Sequence, residues 1–465
     1  MRPEWKSLQM ESGRRPFLKG LCGLFAGAAL GSPLYRALAG PDVTSDEFFI
    51  FVHAAGAWDV TVGLDPRNTR RGLVEPGSTN TIDIGPLPLW KSLSTPLDGM
   101  NSASGYSFEL VRPADKNSPL VFGPGIGDLL RLSSRLTVIN GIAMNTVSHQ
   151  DGTTFSATGR HLAGTKAVAS SIDTMMADSF GGGQLLPVVS INFPSSYVGS
   201  SLDRRVVPLA ISGIGTLAAS LRRSTSYETA AERDAVTALL SQEAQDLAGM
   251  SADPDVMRGL ALQYESVRRM NRENLLDVFT DTTLRAKYPN FQYGSMPTAV
   301  NAAFAVEALR RNIVRCVSFA YGGFDTHFSN YRQQPQTQQN LFNMLATLVD
   351  YLDQTPHPTR TADKLADHTH IMVVSDFCRT PMINVAGGRD HYPNNSSLII
   401  SPRFRGNFVY GQSDPDQLLP LPSGMFSDGM RPITPPDILR TMVAAFGADP
   451  SKYLRDGEVV KALLA

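Results

Sequence analysis

The sequence predicts an α/β fold, a mostly parallel central sheet flanked by helices, with a helical insertion at roughly 190–300. Three observations carry this. Short β-branched apolar runs at 47–52, 135–141, 312–320 and 369–375 have the length and continuity of strands buried on both faces. Between the last two lies a helical pattern over 338–353, with Leu341, Leu345, Leu348 and Leu352 on one face. That is a βαβ unit, so the 312–320 and 369–375 strands are expected to be parallel neighbours. Finally, carboxylates and imidazoles collect just past the ends of these runs, where open α/β sheets place their sites: Asp325 and His327, then Asp376, then Asp390 and His391.

The remaining elements follow in order. The run at 47–52 leads into a loop of small residues, 53–59, ending in Asp59. Residues 60–120 are rich in Pro, Asn, Ser and Gly and read as irregular, and 127–132 as a helical turn. After the 135–141 strand, residues 148–159 read as a strand-to-helix turn and short helix with Ser148 as N-cap. A strand is expected over 186–193. The composition of 227–250 and 254–280 is helical, and a further helix covers 300–311. Near the C-terminus Thr434, Pro435, Pro436 and Asp437 start a helix that Gly447 closes.

The 465 residues are 42% hydrophobic with a net charge of -1, which suits a large globular core and argues against nucleic acid as a partner. The N-terminus stands apart. Arg14-Arg15-Pro16-Phe17-Leu18-Lys19 resembles the twin-arginine export signal, with a weakly apolar run after it and a small-x-small cleavage site at Ala37-Leu38-Ala39. This makes 1–39 a signal peptide and 40–465 the mature domain. It also makes the twin-arginine translocation machinery a partner and the periplasm or the exterior the destination. The apolar run is too short to span a membrane, so no stable span is expected in the mature chain. Cys22 leaves with the signal, and Cys316 and Cys378 are expected as buried free thiols.

Asp and His together are the usual ligand set of a hydrolytic divalent metal. The candidates are Asp59, Asp325, His327, Asp376, Asp390 and His391. Asp325 and His327, two apart, face one side of an extended chain, and a short bend lets both reach one ion. Mixed Asp and His ligation favours zinc or manganese, with calcium and magnesium also compatible. His53, His161, His357, His368 and His370 carry no such context and read as structural or solvent-facing.

The segments 324–327, 373–380 and 388–391, taken with the export signal and the Ser148-His149 turn, resemble the DUF1501 family, exported proteins of the alkaline phosphatase and sulfatase superfamily. The resemblance implies an alkaline phosphatase-like fold and a ligand set of Asp59, Asp325, His327, Asp376 and His391. It implies one ion on Asp325, His327 and His391, with Asp59 and Asp376 reaching toward a second. Phe377 stands where the superfamily places a ligand histidine. The superfamily's nucleophile precedes the Gly of a Thr-Gly pair by ten residues; counting from Gly159 reaches His149, and a one-residue shift reaches Ser148. Ser148 is then a nucleophile at a helix N-terminus, or His149 is a ligand or base. Arg160 and Arg379 are the candidates to neutralise a bound oxyanion. The implied function is a metal-dependent hydrolase of phosphate or sulfate esters, acting on a small-molecule or glycan ester. The alternative is a non-catalytic relative serving as a binding or secretion partner.

Overall fold

The computed structural model describes residues 45–66, 83–84, 107–108, 111–215 (except 182, 200 and 201), 278 and 280–465 (except 295, 383, 385 and 416). The expected signal peptide, the 227–250 helix and nearly all of the 254–280 helix lie outside the described residues. The chain divides into two compact units, one of 43–202, 206–221 and 276–465, the other of 1–42, 203–205 and 222–275. The sheet and the candidate site lie wholly within the first.

Eight strands form the main sheet: β1 (Phe48–Ala54), β2 (Leu136–Ile139), β3 (Leu186–Ile191), β4 (Leu209–Ile211), β5 (Val314–Tyr321), β6 (Thr369–Ser375), β7 (Ser397–Ile400) and β8 (Phe408–Tyr410). Their spatial order is β8-β2-β7-β6-β1-β5-β3-β4. Every neighbouring pair is parallel except the two made by β7, so β7 alone runs against the rest. The mostly parallel α/β reading therefore holds. The expectation that the 312–320 and 369–375 strands are neighbours does not. Strand β1 lies between them, with His53 opposite Ala320 on one side and Val374 on the other. All seven of its residues, FFIFVHA, are buried, but so are those of the strands on either side, so composition does not single out the middle strand and the order is settled by packing of the whole core.

Alternation along β1 sends Phe49 and Phe51 to one face, where they join Met175, Phe180, Leu439 and Met442 in a single core cluster. Those four come from helices α2 (Ile172–Phe180) and α6 (Pro435–Ala444), which follow α1 (His149–Thr158) in the chain. Phe48, Ile50 and Val52 point to the opposite face and are equally buried. Truncating Phe51 to Ala would cost about 3–5 kcal/mol. Helix α3 (Asp281–Lys287) and helix α4 (Ala299–Arg310) precede β5.

The connection from β5 to β6 is α5 (Asn330–Gln354), which begins earlier than its leucine periodicity indicates. Its first turns bury Gln334 and Gln338 rather than leucines. Gln334 donates to the carbonyls of Ala57 and Phe324 and accepts from the Asp59 amide, while Gln338 donates to the Asp59 carbonyl. The start of α5 thus ties the loop after β1 to the loop after β5. Cys316 and Cys378 are buried free thiols. No helix among the described residues is long and apolar enough to cross a membrane.

Candidate metal centre

Four segments meet at the C-terminal ends of β1, β5 and β6. After β6, Cys378 and Arg379 pair antiparallel with His391 and Tyr392, which sets His391 opposite Arg379. Close approach is required here. A Cβ on Gly388 would lie 1.9 Å from the carbonyl carbon of His327, and one on Gly152 of α1 would lie 2.4 Å from the Asp376 carbonyl oxygen. These two glycines let the 387–391 loop sit against the 324–327 loop and let α1 seat its first turn on the end of β6.

The result is a cluster of His149, Asp325, His327 and His391, with one ligand atom from each lying within 4.8 Å of all the others. The Asp325 Oδ1 is 3.2 Å from His327 Nε2, 3.5 Å from His149 Nε2 and 3.9 Å from His391 Nε2. His327 Nε2 and His391 Nε2 are 2.9 Å apart.

The other ring nitrogen of each histidine is already committed. His149 Nδ1 bonds to the Asp376 carboxylate, His327 Nδ1 to Asp390 Oδ1 at 2.8 Å, and His391 Nδ1 to the Val147 carbonyl at 2.8 Å. An acceptor at Nδ1 places the proton there and turns the Nε2 lone pair outward. Three such lone pairs and a carboxylate oxygen then face one another. His149 Nε2 is buried with no hydrogen-bond partner, and two Nε2 lone pairs at 2.9 Å repel unless something positive stands between them. This donor set fits one divalent cation with nitrogen and oxygen ligands.

The electrostatics agree. Burial pushes the Asp325 carboxyl up, but Arg379, donating at 2.6 Å, together with His149 and His327 holds it below the usual carboxylate value. The hydrogen bond to Asp376 raises His149 above the ordinary imidazole value, against the effect of burial. A cation and a second proton compete for that same lone pair. Phe377 stacks on the His149 ring at 4.9 Å and lies 4.7 Å from His391, making an apolar wall where the family resemblance implied a ligand.

The other expected site residues are placed differently. Asp59 is fully buried and its carboxylate is consumed by Thr61 N, Thr61 Oγ1 and Asn330 Nδ2. It caps the short turn at 60–62 and is not one of the converging groups. Asp376 stands behind His149, not beside it: one oxygen accepts from Ala57 N and Ser375 Oγ, and the other holds the ring. Burial would raise its carboxyl, but the bonds to His149 and Ser375 hold it below its ordinary value. Asp390 likewise orients His327. Ser148 is the N-cap residue of α1, exposed, and its side chain makes no capping bond. Arg379 is completely buried and donates to the carbonyls of Gly56, Ala57, Phe324 and Arg389 as well as to Asp325, so it organises the loops and has no freedom to clamp a substrate. Arg160 follows the C-terminal end of α1, roughly 15 Å along the helix axis from His149, and pairs with Asp456 at 3.1 Å.

His53 had no signal in the sequence. It lies on β1, which reads as a plain apolar strand, yet it lines a cavity of about 630 Å³ that also includes His149, Asp325 and Asp376.

The model of the family described as "Protein of unknown function (DUF1501)" matches residues 113–458, and the chain belongs to that family. No curated protein matches the sequence. Among solved structures the chain is similar to Ps i-CgsB in complex with k-i-k-neocarrahexaose, at 10% identity and a TM-score of 0.37, over 89% of this chain and 75% of that one. It is similar to a protein in the alkaline phosphatase superfamily from Vibrio parahaemolyticus, at 8% identity and a TM-score of 0.34, over 93% and 78% of the two chains. It is also similar to alkaline phosphatase from the Antarctic bacterium TAB5, at 11% identity and a TM-score of 0.30, over 79% and 94%. All three likenesses are remote.

Proposed function

We propose that this protein is a metal-dependent hydrolase of phosphate or sulfate esters, built on a single divalent ion held by His149, Asp325, His327 and His391. The observation that carries the reading is the pinning of all three Nδ1 positions, which aims three Nε2 lone pairs and one carboxylate oxygen at a common point. Zinc and manganese suit this donor set best. A divalent cation bound there would act as a Lewis acid and lower the pKa of water to about 7.

The chain's own residues supply the rest. Asp376, Asp390 and the Val147 carbonyl hold the three rings in one tautomer. Arg379 fixes Asp325 and keeps it ionised. Phe377 excludes water from one side of the His149 and His391 rings. Neither Asp59 nor Asp376 has a carboxylate to offer a second ion, because both are spent on internal hydrogen bonds. No Lys or Arg lines the cavity among the described residues. Singly charged esters, sulfate monoesters and phosphate diesters, therefore suit the site better than doubly charged phosphate monoesters.

Export through the twin-arginine route to the periplasm or beyond belongs to the same reading and rests on Arg14 and Arg15. Replacing both by Lys should retain the protein in the cytoplasm. The test of the chemistry is elemental analysis after reconstitution with zinc or manganese, followed by turnover of 4-nitrophenyl sulfate, bis(4-nitrophenyl) phosphate and 4-nitrophenyl phosphate. Stoichiometric metal, with turnover lost in Asp325→Ala, supports it. A chain that takes up neither metal removes it. The commitment of both Arg160 and Arg379 elsewhere favours one second reading, a metal-binding relative that recognises its ligand without turning it over; stoichiometric metal with no turnover of any ester would select it.

A further inference from the structure

The cavity beside the cluster has a chemical character of its own. Gln150, Thr153 and Thr154 present one face of α1 to it, spaced three and four residues apart. Asn192 faces it from the end of β3, and His53 from β1. These are neutral groups that both donate and accept. Among the described residues, the only carboxylates in its lining are those of Asp325 and Asp376, and no ammonium or guanidinium joins them. Its volume of about 630 Å³ is that of an ordinary small-molecule site.

His53 is the telling residue. It is 2% exposed, its ring packs 5.5 Å from Phe193, and its Nε2 is buried with no hydrogen-bond partner. A buried imidazole nitrogen normally has a partner, so a cavity-wall ring that lacks one keeps hydrogen-bonding capacity the fold has not spent. Burial pushes the His53 imidazole down, against the pull of Asp376. A neutral imidazole nitrogen is either a donor or an acceptor, and a hydroxyl matches both cases. An anion in the same place would meet two carboxylates and no cation from the cavity wall.

We infer that this cavity is a hydroxyl-binding subsite, anchored by His53, that holds the uncharged polyhydroxylated part of a substrate while its ester faces the cluster. The orientation rests on the hydrolase reading; the hydroxyl specificity rests on the cavity wall alone.

The test separates the two. The full chain is titrated with methyl glucoside, methyl galactoside and methyl mannoside by ligand-observed NMR, with sodium methyl sulfate as the charged comparison, in the wild type, His53→Ala and Gln150→Ala. His53 is buried in the central strand and its variant can fail to fold, whereas Gln150 is exposed on a helix, so the second variant keeps the test open. The expected result is binding of at least one glycoside, weakened about tenfold in each folded variant, with metal content unchanged. Failure of all three glycosides to bind, or equal binding in wild type and the folded variants, overturns the inference. Hydrolysis of aryl esters with no glycoside binding would spare the hydrolase reading and end the subsite. Glycoside binding that depends on Gln150 or His53 without any hydrolysis would do the reverse.

Discussion

Two groups of histidines and carboxylates lie at opposite ends of the same strands, β1 and β6, and they are wired in opposite ways. At the C-terminal end, His149, His327 and His391 each give Nδ1 to an acceptor and leave Nε2 facing the others. At the N-terminal end, His368 and His370 face Glu47, and the His357 ring packs beside that of His368, 4.6 Å away. There the rings are paired with unlike partners. His370 Nε2 bonds to Glu47 at 2.7 Å and its Nδ1 to Ser401 Oγ at 2.8 Å. His357 Nε2 donates to the Asp46 carbonyl at 2.8 Å, and its Nδ1 accepts from the Arg360 amide. His368 Nε2 bonds to Asp363 at 3.0 Å. One nitrogen is left over, His368 Nδ1, buried without a hydrogen-bond partner and 3.8 Å from Glu47 Oε1, but these side chains do not bring a set of ligand atoms together as the C-terminal group does, and the cluster works as a fastener between the start of β1 and the start of β6. The residue types are the same at both ends. What separates a candidate metal site from a structural knot is which ring nitrogen is left over.

The sharpest way to break the contrast is His327→Ala. It should remove stoichiometric zinc or manganese and reduce ester turnover to background, read by elemental analysis and initial rates. Retention of full metal content would collapse the distinction between the two ends. Asp376→Asn should be milder, since the ring stays but its tautomer is no longer enforced. Metal affinity should fall by about 10–100-fold in a chelator competition, with the fold preserved.

The N-terminal group should answer to stability and not to metal. His370→Ala removes one partner of the half-buried Glu47 carboxylate, leaving Arg403, and should cost about 2 kcal/mol in chemical unfolding, with metal content unaltered. The same region should carry a pH signature. Burial alone would raise Glu47, but His370 and Arg403 overcome it and depress the carboxyl from its ordinary 4.5 to about 2. A carboxyl with a lowered folded pKa stabilises the fold above its unfolded value and loses that contribution as the pH falls through the folded value. The stability of the metal-free protein should fall progressively from about pH 4.5 down to about pH 2. Glu47→Gln should flatten that window. The smallest effect should belong to Ser148→Ala, which leaves ester turnover within about threefold if water is the nucleophile. A loss of about a thousandfold would instead make the exposed N-cap serine the attacking group.

Much of this was legible in residue order. Strands β1, β5 and β6 are continuous apolar runs, and burial on both faces leaves no other reading of them. Asp325, His327 and His391 stood out because acidic and imidazole groups just past strand ends are placed where a parallel sheet opens. Strand order was not legible: β1, β5 and β6 are too alike in composition to say which lies in the middle, and pairing is a long-range choice made by the whole core. Asp59 and Asp376 show a second limit. Each is a strand-end carboxylate like Asp325, yet neighbours far away in the chain, Asn330 for the first and Ala57 and His149 for the second, take their oxygens first.

His53 and His149 mark the boundary most clearly. By itself the sequence determined an α/β sheet and a C-terminal edge rich in ligand-type side chains, because strand burial and alternation are local properties of residue order. Only the tertiary structure decided that His149 joins the cluster, that Asp376 and Asp390 serve the rings behind it, and that His53 faces a cavity. The wiring of the cluster depends on which nitrogen of each ring finds an acceptor. Those acceptors lie 227, 63 and 244 residues away in the chain from His149, His327 and His391, a distance no local pattern spans.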